Sequence, residues 1–406
     1  MSDRRRTIIW ALVLVLVTSV INYSIFYYAP VLFPNSLLAR LLPGTVSGPG
    51  IGNYSDFNRV YQYIKRYYVD DVADDKLIEG ATAGLVQALG DPYSYYMDAK
   101  AYADFNEKVI TGQYTGIGVS IELKDNYVTV IRAFKGTPAD RGGLRPGDRI
   151  VAVDGVNAVG ETLDAVKDMV RGPEGSSVTL TLLREGVEKP FNVTLQRATI
   201  QTPTVFSRFL DDDIAYIQID SFDQTTDQEF VKQLQDLQAQ KPIRGMILDL
   251  RYNPGGTLED SVNVAEYFVP SGPIVVTVDK AGNRQSSGAG HGNFKFPVVV
   301  LVNGYSASAA EVVAGAIQDA GTATIVGTKT FGKGSVQMPI ELSGGAALRL
   351  TFARWRTPKD RTIDKVGIQP DVVVQAPKDE TPSNMDAPDN PEMQKAIAII
   401  HEKIGK

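Results

Sequence analysis

VVVLVNGYSASAAEVVAGAIQDAGTATIV, residues 298–326, reads as one strand–helix–strand unit. Val298 to Val302 is an unbroken apolar run of strand length, closed by the turn signal Asn303-Gly304. Ala307 to Ala320 follows as a helix, and Ala323 to Val326 as a short strand. The same alternation runs upstream. Ile214 to Ile219 reads as a strand, Asp227 to Gln238 as a helix and Gly245 to Leu250 as an apolar strand. Leu258 to Phe268 is a helix that opens after Gly255-Gly256. Such alternation argues for a layered α/β domain.

Between Thr111 and Arg197 the texture changes to short strands and turns. Strands are expected at 118–123, 127–134, 148–153, 177–184 and 191–196, with one helix at 161–171 whose Leu163, Val166 and Val170 share a face. Further upstream, Asp56 to Tyr68 and Asp75 to Leu89 have helical spacing, the second ended by Gly90-Asp91-Pro92. Pro43 to Gly52 is a glycine- and proline-rich linker. Pro377 to Pro388 is polar and proline-rich and is expected to be mobile, before a last helix from Pro391 to Ile404. A chain of 406 residues suggests two or three domains.

Composition narrows the chemistry. The formal net charge of -6 argues against nucleic acid as a partner. The absence of cysteine excludes disulfides, zinc–thiolate sites and thiol catalysis. The two histidines fit no triad or metal motif, His291 lying in a glycine-rich loop and His401 in the last helix. Neither a metal nor a cofactor is expected. At the N-terminus, Arg4, Arg5 and Arg6 precede a stretch from Thr7 to Ala39 without a charged residue. That length can span a hydrocarbon core of about 30 Å, and the arginines favour a cytoplasmic N-terminus. No small-x-small cleavage site directly follows the apolar run, which favours an uncleaved membrane anchor over a cleaved signal peptide, and either puts the bulk of the chain on the extracytoplasmic side.

Ser308 stands where a strand runs into a helix, beside free N–H groups at the positive end of the helix dipole. Those donors suit an oxyanion. Ser308 with Glu311 also fits a capping box, so a structural role competes with a nucleophilic one. Lys333 sits between Gly332 and Gly334. As a base it must be neutral, which requires its pKa to fall from about 10.4 by burial, with Phe331 and Val336 as candidate walls. A lysine in a glycine turn at the surface is the competing reading. Gly327 to Lys333 imitates a phosphate-binding loop, but Gly334 occupies the place of the magnesium-holding Ser or Thr and a strand follows. Asn253-Pro254-Gly255-Gly256 ends a strand and opens a helix, so its N–H groups could join that of Ala309 around an oxyanion.

Ser306 to Glu311 (SASAAE), Phe331 to Gln337 (FGKGSVQ), Leu250 to Gly256 (LRYNPGG), Leu89 to Ser94 (LGDPYS) and Gly143 to Ile150 (GLRPGDRI) occur in one order. With them the chain resembles the carboxy-terminal processing proteases, or tail-specific proteases, over about residues 56–374. The resemblance implies a crotonase-like layered α/β protease core with an inserted, β-rich PDZ domain and an N-terminal helical segment. It implies Ser308 as nucleophile, Lys333 as base, Gln337 as its helper, and an oxyanion site from Gly255, Gly256 and Ala309. The PDZ-like groove would use Gly116, Ile117, Gly118 and Val119 for a peptide carboxylate and Leu163, Val166 and Val170 for its last side chain. Ala310 departs from the hydroxyl residue common in the motif. The implied division is 1–42 anchor or signal segment, 43–52 linker, 53–110 helical part, 111–198 PDZ domain, 199–375 catalytic core, and 376–406 mobile stretch and helix. Partners would be proteins or peptides with free C-termini and the membrane, with a regulatory partner or homo-oligomer left open. A non-catalytic PDZ scaffold and an acyl-transfer enzyme of another class are the rival functions.

Overall fold

The computed structural model describes residues 54–210, 213–378, 380–382 and 384–405. The expected anchor and linker, 1–52, lie outside the described residues. Among the described residues no helix is long and apolar enough to cross a membrane. The chain divides into two units after Ala81. The first carries α1 (Tyr54–Tyr67) and the start of α2 (Asp74–Gln87). Lys65 Nζ lies 2.9 Å from Asp74 and donates to Val72 O at 2.8 Å, tying the end of α1 to the start of α2.

The second unit opens with β1 (Tyr95–Met97), α3 (Ala99–Phe105), a π-helical turn (Asn106–Thr111) and β2 (Gln113–Gly116). A small domain follows: β3 (Val119–Lys124), β4 (Tyr127–Ala133), α4 (Pro138–Arg141), β5 (Arg149–Val153), β6 (Val156–Asn157), α5 (Leu163–Val170), β7 (Ser177–Leu183) and β8 (Phe191–Gln196). Its strands form one antiparallel sheet in the order β3-β4-β5-β7-β8, with β6 beside β5. Alternate residues of β7 (Val178, Leu180, Leu182) point into a core shared with Val128, Val130, Ile150 and Val166. The turn before β5 is set by Asp148, which is fully buried. It accepts the Arg145 N–H at 2.8 Å and the Arg184 fork at 2.6 and 2.8 Å. The chain enters and leaves this domain along one ribbon, β2 paired antiparallel with β9 (Ala198–Gln201).

The larger domain continues with β10 (Val205–Phe209), β11 (Ile214–Ile219), α6 (Thr226–Gln240), β12 (Gly245–Asp249), α7 (Leu258–Glu266), β13 (Val275–Asp279), β14 (Arg284–Ser287), β15 (Val298–Val302), α8 (Ala309–Ala320) and β16 (Ala323–Gly327). It ends with β17 (Ser335–Glu341), β18 (Ala347–Arg356), β19 (Val372–Val373) and α9 (Pro391–Lys403). Its main sheet has the order β10-β11-β12-β15-β16-β19 and is parallel except at β10. The apolar runs of β12 and β15 are explained by burial on both faces. Met246, Leu248, Val298, Val300 and Val302 face a core built with α6, α7 and α8. Ile247, Val299 and Leu301 face α9 through Met393, Ala396 and Ile400. Each fully buried side chain of this size stabilises the fold by about 1.5–3 kcal/mol, so a sheet covered by helices on only one side would lose much of that term. A second, antiparallel sheet (β1-β18-β13-β14, with β17 on β18) stands beside it, and Trp355 of β18 enters the first core. The architecture is mixed α/β with a β-rich small domain, as the sequence indicated.

Mobility was expected for 377–388. Among its described residues, Met385 is buried and Arg251 bonds to Met385 O and Glu380. A buried arginine far upstream supplies the contact, and composition does not reveal it.

Candidate active site

Two turns at the C-terminal ends of neighbouring parallel strands meet. Ser306 Oγ, after β15, donates to Leu250 O at 2.8 Å after β12, and Ala307 N donates to Asn253 O at 2.9 Å. Asn303 Oδ1 accepts from Tyr252 N and Tyr305 N at 3.1 and 3.0 Å. Ser308 then takes φ +53° and ψ -112°, a left-handed conformation that is rare and strained for a residue with a Cβ. The α8 helix starts at Ala309, two residues later than the expected Ala307, because Ala307 and Ser308 form this elbow.

Glu311 holds the elbow. Its carboxylate is fully buried and accepts four hydrogen bonds: Ser308 N (2.8 Å), Thr330 Oγ1 (2.6 Å), Gly332 N (2.7 Å) and Lys333 N (2.8 Å). Burial raises its pKa, and these donors oppose the rise. The cap reading of Glu311 is therefore half the story, since the same carboxylate fixes the lysine loop. Donors to a charged oxygen are worth about 1.5–3 kcal/mol each, enough to hold a strained residue at the elbow.

Lys333 is pushed down to about 8, first by burial and then by the positive charge of Arg349, with Glu311 and Asp91 acting in the opposite direction. Its Nζ lies 4.8 Å from the ring centre of Tyr93, and its carbonyl accepts from Trp355 Nε1 at 3.0 Å. The flanking glycines are required by close approach: a Cβ on Gly332 would stand 2.9 Å from Gly367 N, and one on Gly334 would overlap Asp364 N. Val336 lines the cavity, whereas Phe331 is exposed and forms no wall; Tyr93 and Trp355 take that part. Gln337 also lines the cavity. Its amide donates to Ser335 Oγ (2.8 Å) and Thr351 Oγ1 (3.1 Å), and among the described residues no hydrogen bond joins it to Lys333.

Of the three expected oxyanion donors, one is spent. Gly255 N donates to Asn253 Oδ1 at 2.8 Å. The N–H groups of Gly256 and Ala309 have no partner among the described residues. Both residues line a cavity of about 290 Å³ with Ser308, Lys333, Gln337 and Arg349. Gly255 still matters for space, because a Cβ there would stand 2.8 Å from Ser308 Cβ.

A second cavity, of about 450 Å³, opens beside β3 and α5. Of the residues assigned to a peptide groove, Gly116, Ile117, Val119 and Val170 line it. Gly118, Leu163 and Val166 are not among its lining residues, and Val166 is fully buried in the small-domain core. Tyr114, Lys167 and Arg171 line it instead, with Arg171 paired to Glu107 at 2.7 Å. The apolar stripe on α5 could not separate core from groove, because a helix packed on a sheet needs such a stripe in any case. His291 lies 3.8 Å from Glu266, and neither residue lines the cavity that holds Ser308.

Comparison with known proteins places the chain in a family. The profile of peptidase family S41 matches residues 213–374, a PDZ domain profile matches 129–184, and the activating protease CtpB N-terminal domain profile matches 46–101. The chain is 38% identical over 330 residues to the carboxy-terminal-processing protease of Bartonella bacilliformis, covering 80% of this chain and 75% of that protein. It is 37% identical over 330 residues to carboxy-terminal processing protease CtpA of Bacillus subtilis, covering 81% and 70%. A solved Bacteroides fragilis chain assigned to the S41 proteases shares the fold at 16% identity and a TM-score of 0.50, covering 86% of this chain and 97% of that one. The chain belongs to the carboxy-terminal processing proteases, serine peptidases of family S41.

Proposed function

We propose that this protease works by a Ser308–Lys333 dyad. Neutral Lys333 Nζ takes the Ser308 Oγ proton as Oγ attacks a peptide carbonyl carbon. The N–H groups of Gly256 and Ala309 receive the oxyanion. Collapse expels the amine, which carries away the proton held by Lys333. Water, deprotonated by Lys333, then attacks the ester; as the C–Oγ bond breaks, Lys333 returns that proton to Ser308 Oγ and the new C-terminal carboxylate leaves. Gln337 would turn from Ser335 and Thr351 to orient Lys333. The observation that carries this reading is the Glu311 carboxylate, which binds the backbone of the nucleophile and of the base together.

The pH profile is its direct test. Lys333 is active only when neutral, so kcat/KM should rise with pH and level off above about 8. Arg349→Gln removes a positive charge that favours the neutral form, so the midpoint should move up. An acidic optimum, or a midpoint unmoved by Arg349→Gln, would contradict the assignment.

Substrate choice is proposed to rest on the PDZ domain, whose loop at Gly116–Val119 would take a C-terminal carboxylate. One unfolded substrate should be cleaved at least about tenfold more slowly with an amidated than with a free C-terminus. Equal kcat/KM for both would remove tail recognition and leave the dyad standing. The arginine-led apolar N-terminus further suggests an anchored protease acting outside the cytoplasm. Added protease that digests the 54–406 part on cells stripped of wall and any outer membrane would support that location; protection until the inner membrane is lysed would oppose it.

A further inference from the structure

We propose that Arg251 is a positioning residue for the oxyanion turn, and that the C-terminal segment carrying Glu380, Met385, Asn390 and Glu392 serves catalysis by holding it. The proposal rests on the assignment of Gly256 and Ala309 as oxyanion donors.

Arg251 lies between β12 and the turn Tyr252–Gly256, and its side chain is wholly buried. A buried guanidinium must be paired to be tolerated. Three local side-chain bonds go to Asp249, from Nε at 3.0 and 3.2 Å and from Nη2 at 2.6 Å. The others reach the C-terminal segment. Nη1 donates to Glu392 Oε2 at 2.7 Å and to Glu380 Oε2 and Asn390 Oδ1 at 3.3 Å, while Nη2 donates to Met385 O at 2.8 Å. Tyr252 adds a second tie, its hydroxyl lying 3.2 Å from both Glu380 O and Glu380 Oε1. Tyr252 is itself left-handed (φ +60°) and stacks on Tyr305 at 5.2 Å.

From there the restraint passes along the chain. Asn253 Nδ2 donates to Ile219 O at 2.7 Å, and its Oδ1 takes the Gly255 N–H. That bond leaves Gly256 as the residue presenting a free N–H to the cavity. The Ser308 elbow also meets this turn, through Ala307 N to Asn253 O (2.9 Å) and Ser306 Oγ to Leu250 O (2.8 Å), but Glu311 gives Ser308 and Lys333 a tie to each other that does not pass through the C-terminal segment. Loosening the segment should therefore displace the Gly256 donor more than Ser308 and Lys333, which Glu311 holds to each other, and leave substrate binding unchanged. A misplacement of about 1 Å can cost on the order of a hundredfold in rate.

The test uses the full chain with Tyr252→Phe, Glu380→Gln, their combination, Arg251→Lys and, as control, Ser308→Ala. The readouts are kcat and KM on an unfolded protein substrate, the pH midpoint, and the number and rate of sites labelled by a fluorophosphonate. Tyr252→Phe and Glu380→Gln should each lower kcat about threefold to tenfold, and together no more than the larger single loss, since they share a contact. Arg251→Lys, which loses the planar fork, should lower kcat by roughly a hundredfold. In every case KM, the pH midpoint and the number of labelled sites should stay at wild-type values. Should Arg251→Lys not fold, the Tyr252 and Glu380 variants decide. Wild-type kcat in those two, or a loss that follows the number of labelled sites instead of their rate, would overturn the proposal. Activity surviving in Ser308→Ala would instead sink the dyad on which it rests.

Discussion

Ser308→Ala should lower turnover of an unfolded protein by at least ~10⁴-fold, to what binding and the oxyanion donors achieve alone. Its fold should survive, because the bonds that shape the elbow run through the Ser308 N–H and the Glu311 carboxylate. Lys333→Ala should lose about as much, since the backbone bond from Lys333 N to Glu311 does not need the side chain. The double variant should be no worse than either single one, because a nucleophile and its base act as a unit. If Lys333→Ala kept more than about a tenth of wild-type kcat, the base would have to be sought elsewhere.

Gly256→Ala should cost about 10²–10³ in kcat with far less effect on KM. Gly256 has φ +146°, and a Cβ there would overlap Phe222 O. The clash is with backbone, so the turn itself must move, and the Gly256 N–H moves with it. Phe222 and this turn are joined by the Phe222 N bond to Gly255 O (3.0 Å) and the Thr257 N bond to Phe222 O (2.9 Å), which leaves little slack. Near-wild-type kcat would remove Gly256 from the oxyanion site.

Much of the larger domain is legible in the sequence for a physical reason. Val298–Val302 and Gly245–Asp249 are buried on both faces, so they appear as unbroken apolar runs that few other structures require. Strands with one wet face carry a weaker signal. Arg349, Arg354 and Arg356 interrupt β18, and Ser207 and Arg208 interrupt β10, so neither stands out without its neighbours. The π-helical turn at Asn106–Thr111 has no local signature of its own.

The site divides in the same way. Ser308 and Lys333 stand out because glycines and small residues crowd them. Glu311 was visible only as a cap, although its place in a run otherwise of Ala, Val, Gly and Ile, residues 309–317, is an uncommon setting for an acid and was a usable clue. Which of two adjacent glycines keeps a free N–H depends on the side chain of Asn253, and a spacing pattern does not say where that amide points. Arg251 is the clearest loss. Apart from Asp249, its partners lie more than a hundred positions downstream, where proline and polar residues suggest only a loose tail.

The most direct measurement is to label the protein with a fluorophosphonate, locate the adduct by mass spectrometry, and follow its rate of formation from pH 6 to pH 10. The adduct should sit on Ser308 alone, form with a midpoint near the Lys333 value of about 8, and be lost in Lys333→Ala. An adduct on another residue, or a Ser308 that stays unlabelled while the protein cleaves its substrate, would contradict the dyad.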